Sequence, residues 1–194
     1  MFDDVSALIL AGGKATRLGG AAKHELVIDG KSILARQVEV LAPRVADIVV
    51  SSPQPIAGFR TVADTLVDGG PLAGIAAGFT AVTTSWMLVV AGDMPFLSGP
   101  LIDALCTRRV LAADAVGIDL GGVPQPLCCL LDCTTVPPLL DALLAAGERK
   151  ASRLLTAPLM AVDWITEAEL RAFDPELRCL ANINTEGDLA PLVS

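Results

Sequence analysis

The sequence is poor in basic residues and in histidine. It has 14 lysines and arginines against 22 acidic residues, a formal net charge of -8, and a single histidine. Binding to a nucleic-acid backbone needs a broad basic face, so this charge balance argues against a nucleic-acid partner. The five cysteines are odd in number, and their spacing suits neither a disulfide framework nor a zinc site. We therefore expect reduced, mostly buried thiols.

Long apolar runs are absent from the sequence, and its first residues do not show the pattern of a secretory leader. No stretch reaches the roughly 18 unbroken apolar residues that a membrane span needs, and residues 1–5 carry acids where a secretory signal would carry bases. We therefore expect a soluble, cytoplasmic protein without a membrane partner. With 194 residues, 53% of them hydrophobic and 19% charged, the chain can bury a core, and we expect residues 1–194 to form a single domain.

Strand-like and helix-like segments alternate along the chain. Mainly apolar runs at residues 5–11, 47–50 and 86–91 are typical of strands buried on both faces. Apolar residues at helical spacing predict helices over residues 34–41, after a cap at Ser32, and over residues 72–79. The second half predicts strands at residues 114–118, 126–131 and 160–164, and a final strand and short helix from residue 182 onwards. It also predicts helices at residues 139–146 and 166–173, and Thr166 and Glu169 are spaced as a capping box at the start of the second of these. The alternation predicts a Rossmann-like, three-layer α/β/α fold with a mostly parallel twisted sheet and a hairpin insertion around residues 121–124.

The loop after the first predicted strand is rich in glycine and in basic residues. Residues 8–26 read LILAGGKATRLGGAAKHEL, with Lys14, Arg17 and Lys23 among two glycine pairs. In open parallel sheets, ligands bind beyond the carboxyl ends of the strands. Glycines let backbone N–H groups approach a phosphate without a Cβ in the way, and the basic side chains supply charge. The loop therefore predicts a phosphate site, although neither a dinucleotide fingerprint nor a complete P-loop is present.

Further short motifs follow in order along nearly the whole chain. They are L-A-G-G-x-x-x-R-[LM]-G-G-x-x-K at residues 10–23, D-G-K at 29–31, Asp64, G-G-P-L-A-G at 69–74, A-G-D-M-P at 91–95, G-E-R-K at 147–150 and N-I-N-T at 182–185. Together they resemble the motifs of the molybdenum cofactor guanylyltransferases. Two positions depart from the pattern: Ala22 stands where an acid is usual, and Ser51 where an asparagine is often found.

The resemblance implies a nucleotide-diphospho-sugar transferase-like fold and a reaction. GMP would pass from GTP to the terminal phosphate of molybdopterin, with release of pyrophosphate. The implied partners are GTP, molybdopterin and, transiently, proteins that deliver the cofactor or receive it as apo-molybdoenzymes. The implied metal is Mg²⁺, since a hard carboxylate oxygen can hold this ion beside phosphates.

The resemblance also implies a role for each matching residue. The catalytic set is Arg17, Lys23 and Asp93, with Asp93 holding the metal and the two cations neutralising the triphosphate. The nucleotide-binding set is Leu10, Ala11, Gly12, Gly13, Lys23, Ser51, Asp64, Gly70 and Gly74. The acceptor-binding set is Asn182 and Asn184. Gly13 is expected to leave room for a purine, because the resembling cytidylyl enzymes carry an alanine at that position.

Simpler explanations stay open for several of these residues. Asp93 could cap a helix that begins near Ser98, and Lys14 could be a solvated surface lysine. The basic residues Arg149, Lys150 and Arg153 could meet the acceptor phosphate or interact with a helix C-terminal dipole. His24 is a weak candidate for acid–base work, because an attacking phosphate is already ionised.

Two further functions also remain open. One is a related cytidylyltransferase or sugar-phosphate nucleotidyltransferase, because the opening motif alone would suit these enzymes too. The other is a nucleotide-binding module without transfer activity, for which Ala22 is a clue. Gly13 argues against the cytidylyl enzyme, and the short chain argues against the sugar enzymes.

Overall fold

The computed structural model describes residues 1–12, 23–63, 69–109 and 114–183. The strands and helices in these ranges are β1 (Phe2–Leu10), β2 (Val27–Ile28), β3 (Lys31–Ser32), α1 (Ile33–Leu41), β4 (Val45–Ser51), β5 (Arg60–Val62), α2 (Gly70–Ala81), β6 (Trp86–Ala91), α3 (Gly99–Thr107), β7 (Ala115–Leu120), β8 (Val123–Pro124), β9 (Cys128–Asp132), α4 (Val136–Ala145), α5 (Ser152–Leu155), β10 (Val162–Thr166) and α6 (Glu167–Arg171). Short 3-10 helices span Lys23–Glu25 and Arg178–Leu180. Within these ranges, no helix has both the length and the apolar character needed to cross a bilayer.

One twisted sheet organises the molecule. Its strand order is β10-β7-β9-β6-β1-β4-β5, and β8 pairs with β7. The pairs β1–β4, β1–β6, β4–β5 and β7–β10 are parallel. Strand β9 runs antiparallel to both of its neighbours, β6 and β7. The predicted mostly parallel sheet is therefore confirmed.

Helices cover both faces of this sheet. Because side chains alternate along a strand, β1 contributes Val5, Ala7 and Ile9 to one face and Leu8 to the other. The first face packs against apolar residues of α1, α3 and α6, and the second against those of α2, α4 and α5. Strand β6 is buried along its whole length, as expected for a strand covered by helices on both sides. The predicted three-layer α/β/α arrangement is confirmed.

Two helix starts form as the sequence predicts. The Ser32 side chain accepts a hydrogen bond from the Ala35 backbone N–H at 3.2 Å and caps α1. At α6, Thr166 and Glu169 form a complete capping box, in which each side chain accepts from the backbone N–H of the other residue. These caps satisfy N–H groups that a helix start otherwise leaves without partners.

Other elements differ from the prediction. Strand β5 was not predicted, because three residues are too few to show a periodic pattern. Helix α4 begins at Val136 rather than at residue 139, since prolines in a first turn need no N–H partner. The Gly121–Gly122 turn joins β7 to the short strand β8, which was not predicted, while the two strands predicted around this turn, β7 and β9, pair antiparallel in the main sheet. Residues 181–183 are irregular, so the predicted final strand is wrong for its described part, and the predicted last helix lies outside the described residues.

The cysteines agree with the expectation of reduced thiols. All five are free, and all but Cys133 are buried. Burial raises the pKa of the Cys106 and Cys129 thiols to about 12 and that of Cys128 well above its ordinary value.

We expect the native protein to react very slowly with a thiol reagent at pH 8, because little thiolate forms there and four of the sulfurs are buried. The same reagent should titrate five thiols after unfolding in guanidinium. A native protein that reacts at two or more cysteines within seconds would contradict this expectation.

Candidate functional site

A cleft of about 210 Å³ lies beyond the carboxyl ends of β1, β4 and β6. Its lining residues are Leu10, Ala11, Gly12, Lys23, His24, Ser51, Gly70, Pro71, Gly74, Ala91, Gly92, Asp93 and Leu127. They come from the ends of the three strands, the start of α2, the first 3-10 helix and the segment before β9. This is the edge at which open parallel sheets bind their ligands.

The floor of the cleft consists of closely packed backbone. The Ala11 N–H donates to the Ser51 carbonyl at 2.9 Å, and the Gly92 N–H donates to the Leu10 carbonyl at 3.0 Å. A Cβ on Gly92 would lie 2.8 Å from the Leu10 oxygen and 3.1 Å from the Ala11 Cα. Only glycine allows the chain after β6 to approach the end of β1 so closely.

The start of α2 forms one wall. Gly70 has φ +64°, and a Cβ there would lie 2.9 Å from the Arg149 carbonyl oxygen, so both conformation and space call for glycine. Gly70, Pro71 and Gly74 line the cleft, which places the first turn of α2 against it. N–H groups of a first helical turn lack partners within the helix and carry partial positive charge. This wall therefore suits an anionic ligand.

An ion pair stands in the cleft. The Lys23 Nζ atom lies 2.8 Å from the Asp93 Oδ2 atom, and the two side chains are 23% and 19% exposed. Helix α3 has Ser98 as its N-cap, whereas the Asp93 carboxylate contacts Lys23. The alternative in which Asp93 caps that helix is therefore wrong.

A second cavity of about 160 Å³ adjoins the cleft. It is lined by Ala91, Met94, Gln125, Pro126, Leu127, Cys128, Leu180 and Asn182. Ala91 and Leu127 line both spaces, so two residues form their shared wall. The Ile183 N–H donates to the Asp93 carbonyl at 3.0 Å and fixes the segment that carries Asn182.

The basic residues after α4 are engaged with the end of that helix. The Arg149 guanidinium donates to the carbonyls of Leu144 at 3.4 Å and Glu148 at 2.8 Å. The Glu148 carboxylate accepts from the backbone N–H groups of Lys150 and Arg149, and these bonds lower the pKa of Glu148. Arg153 lies 3.4 Å from the same carboxylate. The contacts of Arg149 agree with the helix-terminus alternative.

Most of the predicted site residues that fall within the described ranges lie together in the cleft. The predicted site residues that line the cleft are Leu10, Ala11, Gly12, Lys23, Ser51, Gly70, Gly74 and Asp93. Asn182 borders the second cavity instead. The predicted residues Gly13, Lys14, Arg17, Asp64 and Asn184, and the departure at Ala22, lie outside the described residues.

Sequence reasoning missed five residues that line the cleft. Pro71, Ala91 and Gly92 lie inside recognised motifs, so the motifs themselves were a signal. His24 was considered only for acid–base work; it is 6% exposed, and its Nδ1 atom has no hydrogen-bond partner among the described residues. Leu127 directly precedes the antiparallel strand β9, far along the chain from the other cleft residues. No motif near it in the sequence marks it as a site residue.

Comparison with known proteins agrees with this geometry. The sequence model of the MobA-like NTP transferase domain matches residues 7–162. The molybdenum cofactor guanylyltransferase of Rhodopseudomonas palustris is 35% identical over 198 residues, which cover 95% of this chain and 90% of that protein. The enzyme of the same name from Pseudomonas putida is 35% identical over 156 residues, which cover 77% and 81%.

A solved structure shares the whole fold. The molybdopterin-guanine dinucleotide biosynthesis protein A of Archaeoglobus fulgidus superimposes with a TM-score of 0.80 at 25% identity, and the match covers 96% of each chain. Family motifs, fold and cleft thus lead to the same assignment. The chain belongs to the MobA-like NTP transferase family and is a nucleotidyltransferase.

Proposed function

We propose that this protein transfers GMP from GTP to the terminal phosphate of molybdopterin, forming the guanine dinucleotide cofactor and pyrophosphate. The observation that carries the proposal is the pair of adjoining spaces with a common wall at Ala91 and Leu127. A reaction between two bound substrates needs two sites that meet where the atoms react. The names of the relatives from Rhodopseudomonas and Pseudomonas support the choice of substrates.

The proposed reaction brings two anions together. An oxygen of the terminal molybdopterin phosphate attacks the α-phosphorus of GTP, and the bond from that phosphorus to the oxygen bridging the β-phosphate breaks. Pyrophosphate leaves with that oxygen. Because the attacking phosphate is already ionised, no base is needed, and we assign no proton transfer to His24. The main tasks are to position the substrates and to offset charge at the α-phosphate.

The nucleotide would occupy the cleft. We propose that Lys23 and Arg17 offset the charge of the triphosphate, and that the first turn of α2 faces it with free N–H groups. The proposed backbone and side-chain contacts are Leu10, Ala11, Gly12, Gly13, Ser51, Asp64, Gly70 and Gly74. Gly12 supports this role, because a Cβ there would lie 4.0 Å from the Pro53 Cδ and a phosphate can approach the open backbone.

The acceptor would occupy the second cavity. Its lining is mainly apolar, with the amide side chains of Gln125 and Asn182 as polar exceptions. A planar ring system that bears amide-like groups suits such a cavity, because amides both donate and accept hydrogen bonds. We propose Asn182 and Asn184 as acceptor-binding residues on this basis and on that of their motif.

We propose Asp93 as the residue that holds Mg²⁺. Its carboxylate is partly exposed in the cleft, and the described part of the chain contains no group of three side chains of the kind that forms an all-protein metal cage. Such a site fits magnesium, which is commonly held by one or two carboxylates together with substrate phosphates and water. Bound there, magnesium would offset negative charge on the phosphates.

We also propose that residues 1–194 form one nucleotidyltransferase domain, because the main sheet contains both β1 and β10, the first and last strands of the described residues. A molybdopterin-delivering protein or an apo-molybdoenzyme would contact it transiently, since the cofactor must be passed on.

The proposed function is tested by measuring pyrophosphate release from each of the four nucleoside triphosphates, with and without molybdopterin. We expect release only when GTP, molybdopterin and Mg²⁺ are all present. Release from CTP would instead indicate a cytidylyltransferase, and release that needs a sugar phosphate would indicate a sugar enzyme. Absence of release under every condition would indicate a binding module.

Thermal melting supplies the matching measurement of binding. A ligand that binds only the native state raises the free energy of unfolding by RT ln(1 + [L]/Kd). We expect GTP with magnesium to raise the melting temperature more than CTP with magnesium does. A larger shift with CTP would contradict the assignment of the purine nucleotide.

A further inference from the structure

Gln37 is a polar side chain buried in the core face of α1. It has no exposed surface, and its Nε2 atom donates to the Ala91 carbonyl at 2.7 Å and to the Met94 carbonyl at 3.1 Å. Both acceptors are carbonyl oxygens, so the donor nitrogen of the amide must face them. One side chain therefore binds both ends of the turn at residues 91–94, and Asp93 lies between those ends.

Backbone bonds hold the same turn from other directions. The Ala91 N–H donates to Leu127 at 2.8 Å, and the Gly92 N–H donates to Leu10 at 3.0 Å. The Asp93 carbonyl accepts from the Ile183 N–H at 3.0 Å. Gln37 completes this set from α1, the helix that packs beneath the turn. A turn fixed in this way presents its carboxylate in one orientation, as an electrostatic site requires.

The buried amide of Gln37 also carries a cost in stability. Its Oε1 atom is buried and has no hydrogen-bond partner among the described residues. A buried acceptor without a partner lowers stability, and the two bonds that the other end of the amide donates offset this loss. The Nε2 atom of the same amide binds the turn that carries Asp93. We therefore attribute the main effect of Gln37 to holding that turn.

We propose that Gln37 is a positioning residue that holds the turn at 91–94 and thereby keeps the Asp93 carboxylate directed into the cleft beside Lys23. Gln37 does not line the cleft itself, so it acts through the turn and not on a substrate. The inference rests on the proposed function, because it takes Asp93 as the carboxylate that binds the metal.

The test compares Gln37→Met with a matched control, Val38→Ala. Methionine has a similar volume and removes both donated bonds. Val38 is the next residue of α1 and packs against the same core. For Gln37→Met we expect kcat to fall about tenfold with little change in the KM for GTP, because a slightly misplaced catalytic group costs rate more than binding. The magnesium concentration at half-maximal rate should rise several-fold. Val38→Ala should lower the melting temperature and change neither property.

Two measurements do not depend on turnover. Hydrogen exchange in peptides that contain Gly92 and Ile183 should be faster in Gln37→Met than in the wild type, and unchanged in Val38→Ala. The affinity for Mn²⁺, measured by its paramagnetic signal in the presence of GTP, should fall in Gln37→Met only. If Gln37→Met does not fold, the proposal is tested by hydrogen exchange in the wild-type protein. The backbone amides of Gly92 and Ile183 should then exchange as slowly as those of β6, and fast exchange would overturn the proposal.

The outcomes separate this inference from the proposed function. Unchanged kcat, metal dependence and exchange in Gln37→Met, with Asp93→Asn impaired, would overturn the role of Gln37 alone. A wild-type protein that releases no pyrophosphate from GTP would overturn the proposed function. Even then, the exchange measurement would still show whether Gln37 holds the turn.

Discussion

Asp93→Asn is expected to lower turnover about a hundredfold or more while leaving the melting temperature nearly unchanged. The substitution keeps the size and shape of the side chain but removes the charge proposed to hold magnesium, and loss of one such electrostatic contributor is worth about 3 kcal/mol in a transition state. Asparagine can still accept the hydrogen bond that Lys23 donates to Asp93 at 2.8 Å, so the local contact can survive. Pyrophosphate release and melting should be measured on the same preparation, with magnesium titrated.

Asp103→Asn is the matched control for this substitution. Asp103 also pairs with a basic side chain, Arg44, at 3.2 Å, but on α3 and away from the cleft. It should show near-normal turnover. Near-normal turnover of Asp93→Asn at ordinary magnesium would remove Asp93 from the metal site. Extensive unfolding, with activity lost in proportion, would instead identify a structural carboxylate.

Gly92→Ala is expected to lower both stability and activity. The new Cβ would lie 2.8 Å from the Leu10 oxygen, and this backbone is held in place because β1 pairs with strands on both sides. Overpacking of this kind costs about 1–3 kcal/mol, which should lower the melting temperature by several degrees. Displacing the turn should also misplace Asp93, so the remaining folded protein should turn over slowly.

Gly12→Ala is a control that separates the loss of stability from the loss of ligand binding. Among the described residues, the atom nearest to a Cβ on Gly12 would be the Pro53 Cδ, 4.0 Å away. This variant should keep the wild-type melting temperature and yet gain less stabilisation from GTP, because its Cβ would intrude on the approach of the phosphate. If Gly92→Ala melts like the wild type, the ends of β1 and β6 are more adaptable than their packing indicates.

The sequence predicts those parts of the fold that depend on neighbouring residues. The run at residues 86–91 coincides with β6, and the caps at Ser32 and Thr166 form as their spacing indicates. These features are local, since a strand run or a cap is decided within a few positions. Strand β5 was missed for a related reason: three residues carry too little pattern.

The site is predictable to the extent that motifs mark it. Glycines, Lys23 and Asp93 lie in recognisable segments, and the cleft brings them together. Leu127 and Gln37 could not be found in this way, because their roles depend on where β9 enters the sheet and on how α1 docks. An isolated glutamine in an otherwise apolar helical face looks like an ordinary interruption until its partners are known.

The position of β9 has a consequence for how the chain folds. Its pairing with β7 joins residues close in sequence, such as Ala115 and Leu131, whereas the pairing of β1 with β6 joins residues as distant as Val5 and Trp86. Contacts between distant residues form slowly, because a long loop must close before they stabilise anything. The β7–β9 pair can therefore assemble early, while the central parallel pair forms late. The cleft that depends on both should be among the last parts of the molecule to take shape.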